Sequence, residues 1–202
     1  NAFILLDRGR LDDARRNLAK ISQIAARMGT ITGQLKIFAR KSTTSLTSVS
    51  IPTAISNALF LVERRLQVEN VRFTLQLPPD DIFAMCESNR LEQVLVNLYA
   101  NALDAMNGSD VRSLRVAVEC TREHVLIHVA DTGPGLSTEV YEHLFEPFFT
   151  TKPQGLGLGL GLAISEQITR QFGGVLRAEN APGGGAIFTI ELQIATQEEK
   201  HV

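Results

Sequence analysis

In NRLEQVLVNLYANALDAM (89–106) most positions are apolar, yet Asn97, Asn101 and Asp104 recur at i, i+4 and i+7. On a helix that spacing gathers them into one polar stripe. Buried amides are costly without partners, so the stripe must face a ligand, a metal or neighbouring backbone that it bridges. DTGPGL (131–136) sets the carboxylate of Asp131 ahead of Gly133 and Gly135. The glycines let a ligand approach the backbone, and an ionised carboxylate only accepts hydrogen bonds, which suits an amine such as the amino group of adenine. A plain turn would share this composition. GLGLGLG (155–161) leads into a helix predicted from about Leu158. Alternating Gly155, Gly157, Gly159 and Gly161 would free backbone N–H groups to surround phosphate oxygens, with the helix dipole adding to the attraction. No Gly-Lys-Ser/Thr follows, so this is not a Walker A loop. It also lies too late in the chain, without a βαβ unit, for a dinucleotide fingerprint. Between the last two groups, FEPFFTTK (145–152) supplies an aromatic cluster able to pin the base of a mobile lid.

These groups need elements to position them. Residues 11–41 read as one long amphipathic helix, with Leu11, Ala14, Leu18, Ile21, Ala25, Met28, Ile31, Leu35 and Phe38 forming a stripe close to a heptad seam. Gly9 sits where a helix–helix turn would lie, so 1–8 and 11–41 make an unequal hairpin. The polar run 42–50 reads as a linker and 197–202 as a tail. A second unit over 51–196 opens with a helix from Pro52 to 68. Strands follow at 71–77 and 82–86, then the helix 89–106, then a hairpin of strands at 111–120 and 124–131. A poorly periodic, glycine-rich stretch covers 132–157, the helix runs over 158–172, and strands at 175–180 and 186–194 close the unit. Several strands follow one another without intervening helices. That order argues for an α+β two-layer sandwich and against a doubly wound parallel sheet.

Composition is consistent with this division. At 202 residues and 44% hydrophobic, the chain can bury one ordinary core plus a smaller element. The net charge of −2 gives no reason to expect nucleic acid. Residues 1–41 hold nine Lys/Arg against three acids, a balance of +6 that leaves −8 for the rest, so two units with different surfaces are expected. Cys86 and Cys120 lack metal-ligand spacing and fall in strand-like runs, which reads as reduced, buried thiols. No apolar run approaches the length of a membrane span. The abrupt start at Asn1, in what reads as the last turns of a helix, gives the expectation of a fragment cut from a longer protein.

In this order, Asn97/Asn101, DTGPGL, FEPFFTTK, GLGLGLGLAI and APGGGAIFTIEL closely resemble the N, G1, F, G2 and terminal glycine-rich boxes of sensor histidine kinases, within the wider group that includes gyrase, the Hsp90 chaperones and MutL-type ATPases. The resemblance covers about residues 50–194. RGRLDDARRNLAKISQIAARMGTITGQLKIFARK is similar to the second helix of the dimerisation and phosphoacceptor hairpin, and NRLEQVLVNLYANALDAM to the dicarboxylate-transport sensors. The resemblance implies ATP and Mg²⁺ as ligands. Asn101 would then bind the metal with Asn97 in support, and Asp131 the adenine amine with Gly133 and Gly135 shaping the base pocket. Gly155, Gly157, Gly159 and Gly161 would form the lid, Lys152 would neutralise phosphate charge, and Thr189 would help Asp131 hold the base. The terminal box commonly carries Thr where Ala186 stands here.

Hydrolysing members of that group carry a glutamate at the position of Asn97, and an amide cannot serve as a general base. The implied reaction is therefore transfer of the γ-phosphoryl to a histidine, with relay to an aspartate of a response regulator. An ATP-hydrolysing conformational machine is the alternative, and a nucleotide sensor without catalysis is a third reading. The acceptor histidine, expected near the top of a preceding helix, is absent from these 202 residues, since His124, His128, His143 and His201 all read as structural or solvated. The resemblance further implies a homodimer through the hairpin, and a parent protein in the bacterial inner membrane with this part on the cytoplasmic side.

Overall fold

Local chemistry sets where each element begins and ends. In the computed structural model, which describes residues 10–22, 25, 29, 45–152 and 157–195, helix α1 (Ile51–Val68) starts behind Ser50, whose hydroxyl accepts from the Thr53 backbone N–H at 3.4 Å. Pro52 sits in its first turn, where its missing N–H costs nothing. Helix α2 (Ser88–Ala105) and helix α4 (Gly161–Gln171) follow the predicted apolar periodicity, and a short helix α3 (Thr138–His143) is capped by Ser137 accepting from Val140 N.

Among the described residues, seven strands complete the domain, namely β1 (Thr47–Ser50), β2 (Arg72–Gln76), β3 (Phe83–Cys86), β4 (Ser113–Cys120), β5 (His124–Ala130), β6 (Val175–Asn180) and β7 (Ala186–Gln193). Five form a sheet in the order β2-β4-β5-β7-β6, and β1 pairs with β3 separately. Within this sheet the β2–β4 pair is parallel, and β4–β5, β5–β7 and β6–β7 are antiparallel. Alternation gives the sheet two distinct faces. Leu114, Val116, Val125, Ile127, Val129, Phe188, Ile190 and Leu192 are buried, as are Leu91, Val94, Leu95, Leu98 and Leu103 of α2. Burial of each such side chain stabilises by roughly 1.5–3 kcal/mol. Helices α1, α2 and α4 contact one another in sequence and make the second layer of an α+β sandwich.

Several expectations need correction. Residues 47–50 are strand rather than linker, since Thr47–Ser50 pairs with Phe83–Cys86. The stretch expected to lack periodic structure contains α3. Helix α4 begins at Gly161 and not near Leu158, so Gly157 and Gly159 precede it. Cys86 is buried, but Cys120 is exposed, because it lies past the last core-facing position of β4.

Residues 1–41 and 42–202 form two compact units. In the first, residues 11–22 are helical, with Ala14 buried and Leu11, Leu18 and Ile21 exposed. The expected turn at Gly9 and the stripe positions Met28, Ile31, Leu35 and Phe38 lie outside the described residues.

Candidate functional site

The polar stripe of α2 is the spine of the site, and its members reach α1, α4 and the segment carrying Lys152. Asn97 Nδ2 donates to Ser165 Oγ on α4 at 2.9 Å. Asn101 Oδ1 accepts from Lys152 Nζ at 3.1 Å. Asp104 Oδ2 accepts from the same ammonium at 2.5 Å, and its Oδ1 accepts from Arg65 Nη2 of α1 at 2.8 Å. Asn97 and Asn101 are half-buried and Asp104 is exposed. Partial desolvation by its neighbours works against the Asp104 anion, but the hydrogen bonds from Lys152 and Arg65 hold its carboxyl below the usual range. From Asn97 to Ala105 the helix rises about 12 Å.

At the far end of that rise lies Asp131. Only 5% exposed, it accepts on Oδ1 from Gly133 N at 2.8 Å and from Ala186 N at 3.4 Å. Burial pushes its carboxyl above the usual range, and the two backbone donors oppose that shift without cancelling it. Gly133 lies between the Asp131 carboxylate and the Ala105 carbonyl, which joins this loop to the end of α2. The turn containing Gly135 is tied to β6 by Asn180, whose Oδ1 accepts from Leu136 N at 2.6 Å and whose Nδ2 donates to Leu136 O at 2.9 Å. The C-terminal ends of β5 and α2 thus meet at a buried carboxylate fit to accept from an amine.

The glycine run approaches from the other end. Gly157 lies beside the Lys152 side chain. Gly159 has φ +66°, and a Cβ there would fall 2.3 Å from the Phe149 carbonyl oxygen, so the FEPFF segment and the run touch backbone to backbone. Phe148 N donates to Gly159 O at 2.9 Å. A Cβ on Gly161 would come 2.3 Å from Asn97 Oδ1, so any larger residue there would have to displace that amide. The first turn of α4 has no side-chain cap, which leaves backbone N–H groups available to an anion. Gly155 lies outside the described residues.

Thr189 does not join this group. It pairs with His128 across β5–β7, and its hydroxyl lies 3.0 Å from His128 Nδ1. His128 is three residues before Asp131, so strand alternation puts Thr189 on the opposite face of the sheet from the carboxylate. Ala186 is the β7 residue at Asp131, and it contributes its backbone alone. The histidines are engaged elsewhere. His124 lies 3.9 Å from Glu191, and His143 is 3.0 Å from Glu146, whose carboxylate raises its imidazole above the ordinary range. His201 is outside the described residues.

Two contributors escaped the sequence reading. Ser165 is buried, and with Thr169, whose Oγ1 donates to Ser165 O at 2.8 Å, it makes a polar i, i+4 pair on the inner face of α4. That spacing was visible in the sequence. Arg65 was not, because its partner Asp104 is 39 residues away. The donors suit a hard divalent ion. Mg²⁺ takes one or two protein oxygens and completes its shell with water and phosphate, and among the described residues no group of three or more His, Cys, Asp and Glu could cage an ion alone.

Residues 86–196 match the family described as histidine kinase-, DNA gyrase B-, and HSP90-like ATPase. The chain is 38% identical over 195 residues to the C4-dicarboxylate transport sensor protein DctB of Rhizobium meliloti (strain 1021), an alignment covering 96% of this chain and 31% of that protein. It is 34% identical over 175 residues to the sensor histidine kinase ZraS of Klebsiella oxytoca, covering 87% of this chain and 37% of that one. The chain therefore spans about a third of the length of these curated relatives. Among solved structures, the catalytic domain of histidine kinase ThkA superposes with a TM-score of 0.67 at 29% identity, over 74% of this chain and 98% of that one. ThkA in complex with the response regulator protein TrrA gives 0.74 at 25% identity, over 96% and 56%. With a buried carboxylate, an amide-bearing helix and a glycine run in the order its boxes require, this chain belongs to the histidine kinase-, DNA gyrase B- and HSP90-like ATPase family, as an ATP-binding domain of the sensor histidine kinase kind.

Proposed function

We propose that this chain is the catalytic part of a two-component sensor kinase that binds ATP with Mg²⁺ and moves the γ-phosphoryl group to a histidine of its parent protein. In this reading Asp131 accepts from the adenine amine, and Gly133 and Gly135 border the base. Asn101 ligates the metal with Asn97 in support. Lys152 and the backbone at Gly155, Gly157, Gly159 and Gly161 face the phosphates. Transfer breaks the bond between the γ-phosphorus and the bridging oxygen of ADP and forms a phosphorus–nitrogen bond to an imidazole, whose proton leaves to solvent.

The observation that carries the choice of reaction is Asn97. Its amide is tied to Ser165 at 2.9 Å and covered by Gly161, and an amide has no basic pair with which to activate water. Positioning and charge neutralisation remain, which is what phosphoryl transfer asks of a protein. The likeness to ThkA, solved with its response regulator, supports a response regulator as the next acceptor. The helical stripe with Leu11, Leu18 and Ile21 exposed supports a homodimer through residues 1–41, and the likeness to DctB supports a membrane-anchored parent.

The test mixes this chain with γ-labelled ATP, Mg²⁺ and a separate helical hairpin fragment of the parent carrying the acceptor histidine. Acid-labile label on that fragment is the expected result. Sustained release of free phosphate without labelling would instead assign the chain to the hydrolysing members of its family.

A further inference from the structure

Asp104 divides its carboxylate between two cations. Oδ1 accepts from Arg65 Nη2 at 2.8 Å, and Arg65 is itself held by Glu69 through Nε at 2.7 Å. Oδ2 accepts from Lys152 Nζ at 2.5 Å. The same ammonium donates to Asn101 Oδ1 at 3.1 Å. The amide oxygen that α2 offers to a metal therefore already carries a positive group, and that group comes from the segment leading into the glycine run.

An ammonium and a divalent cation seek the same thing from an amide oxygen, a lone pair at close range. They cannot share it at that distance. Charges alternate along the chain Glu69, Arg65, Asp104, Lys152, so the lysine is held from behind by a carboxylate that is itself fixed. We propose that Lys152 is a built-in cation that occupies Asn101 Oδ1 in the nucleotide-free protein, with Asp104 as the positioning residue that holds it there. This rests on the nucleotide-binding reading above. Lys152 must leave Asn101 before that oxygen can serve a metal, and once detached it is free to meet phosphate. The lysine thus sets the metal requirement. The apparent affinity for Mg²⁺ is reduced by the fraction of molecules in which Lys152 still sits on Asn101.

The experiment titrates wild type, Lys152→Met and Asp104→Asn with Mg²⁺ in the presence of a fluorescent ADP analogue, which lacks the γ-phosphate that Lys152 would otherwise contact. Lys152→Met lowers the Mg²⁺ concentration for half-maximal binding roughly threefold or more, and Asp104→Asn shifts it the same way by less. An unchanged or higher requirement in Lys152→Met overturns the proposal. A higher requirement in Asp104→Asn overturns the anchoring role, because it would mean the carboxylate serves the metal. A second arm uses Mn²⁺ without nucleotide and follows paramagnetic broadening of the Asn101 side-chain amide signal. Broadening at lower Mn²⁺ in Lys152→Met supports the displacement, and equal concentrations in both proteins overturn it. Wild type that binds no ADP at any Mg²⁺ concentration would defeat the nucleotide reading alone, and the Mn²⁺ arm would still decide what Lys152 does.

Discussion

An anion as enclosed as Asp131 is unfavourable to the fold, and two backbone donors on one oxygen only partly relieve it. With a folded value above the unfolded one, its favourable contribution to stability is complete below the ordinary carboxylate range and is lost as pH rises through the raised value. Asp104 has the opposite sign, since its lowered value stabilises above the ordinary range and fails as pH falls through the lowered one. Asp131→Asn keeps an acceptor for the Gly133 and Ala186 N–H groups and removes the buried charge. Urea unfolding should find this variant more stable than wild type at pH 7, with the gap closing as the wild-type carboxyl protonates at lower pH. Its adenine nucleotide affinity should drop by about 2 kcal/mol or more, because a carboxamide N–H then faces a ligand amine. A variant that binds normally would remove Asp131 from the base pocket. At Asn101, substitution by Ala should abolish the Mg²⁺ dependence of nucleotide binding, checked by repeating the titration with and without chelator. Unchanged affinity would sink the metal assignment.

Helices α2 and α4 meet where Gly161 rests on Asn97 and Ser165 receives its amide, so the proposed phosphate end of the site depends on how closely two helices approach. Gly161→Ala puts a methyl into space held by the Asn97 carbonyl. Forced repacking of that kind costs about 1–3 kcal/mol, and both the denaturation midpoint and nucleotide affinity should fall together. Loss of stability with binding intact would show that the contact matters to the fold alone. Most of this framework was legible in advance. The apolar periodicity of α2, the alternation of β4, β5 and β7, and the polar stripe were all in the sequence. Some misses arise because local pattern does not report partners. TSVS is too short and polar to read as a strand without β3 beside it, and α3 needs only the Ser137 cap and the surface it lies on. Thr189 was placed by resemblance, and the face it occupies depends on its register with His128.

At the scale of the whole chain, residues 1–41 and 42–202 are two compact units, the first basic and the second acidic. A fragment of residues 42–202 should therefore retain one cooperative thermal transition and the nucleotide affinity of the full chain while losing self-association. Calorimetry and analytical ultracentrifugation would check this, and a fragment that fails to fold would show that the units depend on each other. The contrast between the two cysteines bears on how any of these measurements is made. Burial raises both thiols, Cys86 to about 12 where it offers almost no thiolate to an electrophile near neutrality, but Cys120 alone stands exposed at the end of β4. Register puts Cys120 opposite Val125, six residues from Asp131 and hence ~20 Å along the sheet. A maleimide dye should couple at Cys120 alone, giving the native sequence a spectroscopic handle remote from the nucleotide. Mass spectrometry after tryptic digestion would reveal any second adduct.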